Sequence, residues 1–393
     1  MTAGAAWAGL AQAGAARPRK VLYLSGTRAD FGLMRSTLQA LHTDPRFDLA
    51  VVVTGTHLSA DHGHTVDDVR AAGLPLLAQI PVDVRTQTAR SMSQAVAQCL
   101  QEMGALLEQQ RPDILLLLGD RGEMLAGALA ALHQGVVTVH IHGGERSGTV
   151  DEPVRHAISK LSSYHLVATE ESKDRLLRMG EAAERIYVVG APGLDGLLAL
   201  AAGERSDALQ ALGMPLDSEF VLAVFHPVVQ QSDLAYSQAR ALIEALTQQP
   251  RPVLWLLPNA DAGAQAVLRA LGATPLPTNW RCVAHLDRAL FAKAMRHAAV
   301  MIGNSSAGII EAASFGTPVI NMGERQRLRQ RNINTVDALP QAHSLSACLQ
   351  RVLAAPRFAC DNCYGDGQSG PRIVQLLSQL PLGHEVLEKT NAY

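Results

Sequence analysis

Short, almost continuous apolar runs alternate along the chain with longer stretches of helical periodicity. The runs mark candidate strands at Val21–Ser25, Leu49–Thr54, Ile114–Leu118, Val136–Ile141, Leu166–Thr169 and Tyr187–Val189. After a break they resume at Phe220–Phe225, Val253–Leu257, Arg281–Val283, Val300–Ile302 and Pro318–Asn321. Continuous apolar strands with helices between them predict parallel sheets covered on both faces. The hydrophilic, glycine-containing segment Ala201–Asp217 separates the two series and marks a domain boundary. The expectation is an α/β chain of two Rossmann-like domains, 19–200 and 205–368, preceded by a loose extension over 1–18. A last helical pattern within 369–393 is expected to pack across the domains. Ligands of open α/β sheets bind beyond the carboxyl ends of the strands. Two sheets facing one another with those ends would gather the residues that follow strands into one cleft.

Composition agrees with this picture and narrows the partners. A chain of 393 residues is too long for one ordinary core and suits two domains of about 150 to 200 residues each. With 34 basic and 36 acidic residues and no basic run interleaved with aromatics, no nucleic-acid surface is expected. An anionic ligand must then be held by local charges and dipoles. The longest apolar run, near Ile114–Leu118, is far short of a membrane span, so no membrane partner is expected. Met1–Ala16 has no basic residue ahead of its apolar part and makes a poor signal peptide. Five cysteines fit a reducing cytoplasm without a disulfide framework, and Cys360–Cys363 is a lone CxxC.

The densest chemical signal is Met301-Ile302-Gly303-Asn304-Ser305-Ser306-Ala307-Gly308, followed by a helix expected to open with Glu311. Two small hydroxyls and free backbone N–H groups at a helix start suit a phosphate, and Glu311 is placed to accept from a ribose diol. Other candidates also follow strands. Ser25-Gly26-Thr27-Arg28-Ala29-Asp30 offers Arg28 to a pyrophosphate, or Asp30 simply caps the next helix. Gly119-Asp120-Arg121 offers an acid and a base, or an internal ion pair. His140 and His142 are expected to project to one face at the end of a strand. Gly143 and Gly144 follow them, and Glu145, Asp151 and Glu152 then supply three carboxylates within eight residues. A zinc reading would draw on His57, His62 and His64, but no spaced ligand motif supports it and no metal is expected. Acid–base chemistry suits this set better. In the second series His226, Asn259 and Arg325, the last in a basic loop with Arg327, Arg329 and Arg331, follow strands and suit a nucleotide.

These motifs, with Arg155-His156-Ala157-Ile158-Ser159-Lys160-Leu161 and Tyr364-Gly365-Asp366-Gly367, resemble the hydrolysing UDP-N-acetylglucosamine 2-epimerases of sialic-acid synthesis, in order from about Val21 to Ile373. The resemblance implies a GT-B-like pair of Rossmann domains binding a UDP sugar, with no cofactor, in a homodimer or homotetramer. It implies that Arg28 and Arg121 serve the nucleotide sugar. His226, Ser305, Ser306 and Arg325 would hold the diphosphate and Glu311 the ribose. Asp120, Glu145, Asp151 and Glu152 would be the acids and bases, with His57 near the sugar. In two departures, His142 stands where many relatives carry glutamate, and Leu118 where several have histidine before Gly-Asp-Arg.

The reaction so implied is UDP-N-acetylglucosamine plus water giving UDP and N-acetylmannosamine through a glycal. Breaking the anomeric C–O bond builds oxocarbenium character that acidifies carbon 2. Stabilising the departing diphosphate is the main electrostatic demand. Other readings share the nucleotide site: a non-hydrolysing 2-epimerase, an enzyme for UDP-2,4-diacetamido-2,4,6-trideoxyglucose, a glycosyltransferase, or a non-catalytic nucleotide-sugar sensor. The acidic cluster favours proton shuttling over group transfer to an acceptor.

Overall fold

The computed structural model describes residues 17–393 apart from 61–62, 85–87, 149–150, 259–262 and 274. Asn259 of the expected nucleotide set and His62 of the histidine cluster therefore lie outside the described residues, as does most of the N-terminal extension. The chain divides into two compact units. One takes the residues up to Glu145, Asp151–Asp195 and Gly365–Tyr393; the other takes Arg146–Val150 and Gly196–Tyr364.

The first unit holds strands β1 (Arg19–Ser25), β2 (Phe47–Thr54), β3 (Leu76–Ile80), β4 (Ile114–Leu118), β5 (Val137–Ile141), β6 (Tyr164–Val167) and β7 (Ile186–Val188). They pair in parallel in the order β3-β2-β1-β4-β5-β6-β7. Alternate residues supply opposite faces, as a pleat requires. Val21 and Tyr23 of β1 join one buried cluster, and Leu22 and Leu24 join the other. That is why the strands read as unbroken apolar runs. Each fully buried leucine or valine contributes roughly 1.5–3 kcal/mol relative to exposure.

The second unit repeats the plan with β8 (Val221–Val224), β9 (Val253–Leu256), β10 (Trp280–Val283), β11 (Val300–Gly303), β12 (Val319–Met322) and β13 (Thr335–Ala338). Their order is β10-β9-β8-β11-β12-β13, again all parallel. In both sheets the chain reverses direction of travel beside the first strand. Each switch point, β1/β4 and β8/β11, opens a crevice at the carboxyl edge.

Three sequence expectations need correction. Strands β3 and β13 carry no long apolar run because each is a sheet edge with most residues part-exposed. The run placed at Leu166–Thr169 is shifted: β6 begins at Tyr164, and Thr169 instead caps the helix Glu170–Arg178, accepting from Ser172 N–H. In the last segment, helix Ser369–Gln379 packs on helix Arg28–Thr43 and buries Ile373 and Leu377 in the first unit's core. The Asp195 carboxylate accepts from the backbone N–H groups of Ser369 and Gly370 at that helix start. No helix among the described residues is long and apolar enough to cross a membrane.

Candidate functional site

At the first unit's switch point the loop after β1 is closed on itself. Thr27 and Asp30 form a capping box, and the Asp30 carboxylate accepts from Gly26 N–H (2.9 Å), Thr27 N–H (3.0 Å) and the Ser25 hydroxyl. The structural alternative for this motif thus describes its backbone. Burial raises Asp30 to about 6 despite those hydrogen bonds. Arg28, half-exposed, pairs with Asp68 at 3.0 Å.

His57 follows β2 in a single 3₁₀ turn and is fully buried. Its Nε2 lies 2.9 Å from Ser25 Oγ and its Nδ1 2.9 Å from Thr65 Oγ1. With the Ser25 hydrogen committed to Asp30, His57 donates through Nε2 and accepts at Nδ1. Burial pushes its pKa down to about 4, so this imidazole is neutral. His64, by contrast, is exposed and sits 3.4 Å from Asp67.

The turn after β4 and the loop after β5 are tied by one buried cation. Arg155 is 1% exposed, pairs with the Asp120 carboxylate and donates to the Glu145 carbonyl at 3.0 Å. Asp120 is thereby held against a buried guanidinium. Arg121 caps the helix Gly122–Gln134 and lies 3.8 Å from Glu123, so Asp120 is not paired with its neighbour in sequence but with a residue on another helix. His140, fully buried at the end of β5, donates through Nε2 to Gly119 O (2.7 Å) and meets Ser159 Oγ at Nδ1 (3.0 Å). Burial brings it down to about 3.

His142 departs from the expected strand face. β5 ends at Ile141, and His142 takes φ +64°, so the pleat does not carry it onto the face of His140. Such a left-handed conformation costs on the order of 1–3 kcal/mol for a side-chain-bearing residue. It turns the imidazole so that Nδ1 hydrogen-bonds the buried Glu145 carboxylate, while Nε2 is buried with no hydrogen-bond partner. Gly144 makes this possible: at φ +74° a Cβ there would strike Ser172 O. Asp151 and Glu152 form the first turn of helix Asp151–Leu161, part-exposed, with Glu152 3.7 Å from His156.

In the second unit Asn304 organises the crevice. Its side chain accepts from His226 N–H (2.8 Å) and donates to His226 O (2.7 Å), locking the ends of β8 and β11 together. Gly303, at φ +135°, lets the chain pass Val224 O where a Cβ would collide. The Asn304 carbonyl in turn accepts from Arg325 (3.0 Å) and Gln326 (3.2 Å). His226, Ser305 and Arg325 are thus brought to one edge. Burial, then the Arg325 charge, lowers His226 to about 3. Within the basic loop Arg327 pairs with Glu324 (2.5 Å) and Arg331 with Asp337 (2.9 Å), while Arg325 reaches the Asn304 carbonyl beside Ser305.

The helix expected to open with Glu311 instead spans Ser306–Ile310. Ser305 is its N-cap, accepting from Ala307 N–H, and Glu311 closes it. Five residues make little macrodipole, so the hydroxyls, N–H groups and Arg325 are the anion-directed groups here. Glu311 is buried and ion-paired with Arg288; burial raises its pKa while Arg288 opposes the shift.

Sequence reasoning missed Arg155, Asn304 and Arg288 as organising residues. Arg155 shares a buried stripe with Ile158 and Ser159 at helical spacing, a position where arginine needs a fixed anion. That pattern is visible in the sequence.

A family model described as UDP-N-acetylglucosamine 2-epimerase matches residues 39–378. The chain belongs to this family. Among relatives, a Legionella pneumophila protein named UDP-N,N'-diacetylbacillosamine 2-epimerase (hydrolyzing) is 44% identical over 375 residues, covering 95% of this chain and 100% of the relative. A Neisseria meningitidis UDP-N-acetylglucosamine 2-epimerase is 29% identical over 351 residues, with 89% and 92% covered. The likeness to hydrolysing members places the chain in the hydrolysing 2-epimerase family. The crystal structure of the UDP-GlcNAc 2-epimerase from Neisseria meningitidis bound to UDP-GlcNAc superposes with TM-score 0.78 at 18% identity, covering 91% of this chain and 99% of that one. The two units therefore have the fold of these 2-epimerases, a GT-B-like pair of parallel α/β domains.

Proposed function

We propose that the chain is a hydrolysing 2-epimerase whose preferred substrate is UDP-2,4-diacetamido-2,4,6-trideoxyglucose, the sugar nucleotide also called UDP-N,N'-diacetylbacillosamine. Water is consumed, and UDP and 2,4-diacetamido-2,4,6-trideoxymannose are released. The choice of sugar rests on the 44% identity to a relative named for that substrate, against 29% to one named for UDP-N-acetylglucosamine. The chemistry rests on one observation, the buried Glu145–His142 pair with its unpartnered Nε2. Glu145 accepts at Nδ1, which leaves the Nε2 lone pair as a base.

In the proposed sequence His142 Nε2 takes the proton from carbon 2. The electron pair of that C–H bond becomes the C1–C2 double bond as the anomeric C–O bond breaks and UDP leaves. Arg325, the Ser305 and Ser306 hydroxyls and His226 meet the charge that develops on the diphosphate, with Arg28 and Arg121 as further cations and Glu311 toward the ribose. Water then adds hydroxyl at carbon 1, and a proton returns to carbon 2 on the opposite face. Asp120, paired with Arg155, and the first-turn carboxylates Asp151 and Glu152 are the groups offered for activating water and returning that proton. Neutral His57, buried with both ring nitrogens engaged by Ser25 and Thr65, supports the loop after β1 and touches no substrate.

The test is incubation with each of the two UDP sugars in D2O, followed by proton NMR and UDP release. The expected result is free manno-configured sugar carrying deuterium at carbon 2, with the larger kcat/KM for the diacetamido substrate. UDP-linked epimer would indicate a non-hydrolysing enzyme. Free sugar of unchanged configuration would remove the epimerase reading. A larger kcat/KM for UDP-N-acetylglucosamine would transfer the assignment to that substrate, the reading carried by the Neisseria relative.

A further inference from the structure

The C-terminal tail of the first unit ends in a buried polar cluster that the proposed chemistry does not touch. The Glu181 side chain has no exposure and lies between Lys160 (2.8 Å), Lys389 (2.6 Å) and His165 (2.8 Å). Burial alone would raise its pKa, but His165 and the two lysines outweigh that and hold it at about 2. Burial in turn lowers Lys389 to about 8, against the pull of Glu181.

Lys389 has a second task. Its Nζ donates to Ser159 O (2.9 Å) and Ser162 O (2.7 Å), at the C-terminal end of helix Asp151–Leu161. Carbonyls there lack intrahelical partners and carry the negative end of the helix dipole, so a cation is well placed. The tail is pinned on both sides of this lysine. Val386 is buried in the core, Ala392 N–H donates to Gly180 O (2.8 Å), and Asn391 accepts from Lys160 (2.7 Å).

That helix is the mounting of the proton-transfer groups. Asp151 and Glu152 occupy its first turn, and Arg155 holds Asp120 and the Glu145 carbonyl. One turn further on, the Ser159 hydroxyl supports His140, which holds the carbonyl of Gly119, next to Asp120. We propose that Lys389 is a positioning residue: by clamping the C-terminal end of this helix to buried Glu181, it sets the helix's register beneath Asp120 and His142. It acts through Arg155, Ser159 and His140 and touches no substrate. The inference rests on the reaction proposed above.

The experiment compares the full-length enzyme with three variants: a chain ending at Thr390, a chain ending at Glu388, and Lys389→Met. kcat is taken per folded molecule, and the imidazole nitrogens of His140 are followed by 15N NMR. The Glu388-ended chain and Lys389→Met should lose about ten- to hundredfold in kcat, the effect of a misplacement near 1 Å, with KM within about twofold. In both, His140 should lose its single Nε2–H tautomer. The Thr390-ended chain, which keeps Lys389 but not the Ala392 contact, should retain kcat. Equal losses in the two truncations, a change in KM alone, or a drop explained by a smaller folded fraction would overturn the proposal. A wild-type enzyme inactive on both UDP sugars would instead sink the proposed reaction, and the His140 tautomer would still decide the clamp.

Discussion

The two sheets share a strand order and a switch point, yet their carboxyl edges are built from opposite chemistry. In the first unit the loop after β1 spends its N–H groups on Asp30, and Arg28 is paired with Asp68. What is left at that edge is a set of carboxylates and imidazoles held by buried partners. In the second unit the loop after β11 is held by a neutral amide, Asn304, and the groups turned outward are hydroxyls, N–H donors and Arg325. On the proposed reaction, one strand order would serve proton handling on the first sheet and anion holding on the second. The difference lies in which group closes the loop: in the first unit a carboxylate accepts the loop's own N–H donors, and in the second an amide pairs with the backbone of a neighbouring strand end.

The sharpest break of this contrast is His142→Gln. It removes the base while leaving the second unit alone, and should lower kcat by about 10²–10⁴-fold. UDP affinity, measured calorimetrically, should stay within about twofold; a parallel loss of UDP binding would show that the two edges are not chemically separate.

Next in size is the acid response. His57 and His140 in the first unit and His226 in the second are buried and neutral, with pKa values down at about 4, 3 and 3. On unfolding below pH 6.5 each gains a proton, so the stability they supply is present above that pH and is lost as pH falls toward 4. Asp30, raised to about 6, works in the opposite sense, losing a proton on unfolding between about pH 4 and 6. Three imidazoles against one carboxyl leave a net uptake of two protons from these groups. Stability should fall by about 3 kcal/mol per pH unit across that window, measured as urea midpoints. Asp30→Asn should steepen the fall; an unchanged slope would mean that Asp30 is ionised in the fold.

The smallest effect is expected from Asn304→Ala, which frees the His226 backbone and lets the β8 and β11 ends part. UDP should bind about ten times more weakly, in line with losing one or two well-placed hydrogen bonds, while the pH response of His57 and His140 is unchanged. Unaltered UDP affinity would remove Asn304 as the organiser of that edge.

Much of this architecture was readable before the structure, and the exceptions have physical causes. Interior strands announce themselves because both faces are buried, as in Ile114–Leu118. Two of the four edge strands, Leu76–Ile80 and Thr335–Ala338, do not, since most of their residues are part-exposed and leave no long apolar run. Candidate site residues were nominated because polar groups follow strand ends. Their partners were not: Asp120 is paired with Arg155, 35 residues on, and Glu311 with Arg288, 23 residues back, spacings that no local pattern links. Local pattern also misplaced the start of the Ser306 helix, because Ser305 caps it earlier than its apolar period suggests.

The backbone at His142 has a consequence for anyone improving this protein's robustness. A residue held at φ +64° is one where glycine relieves strain. A selection for heat tolerance alone would therefore favour its replacement, yielding a sturdier molecule stripped of the group proposed to begin the reaction.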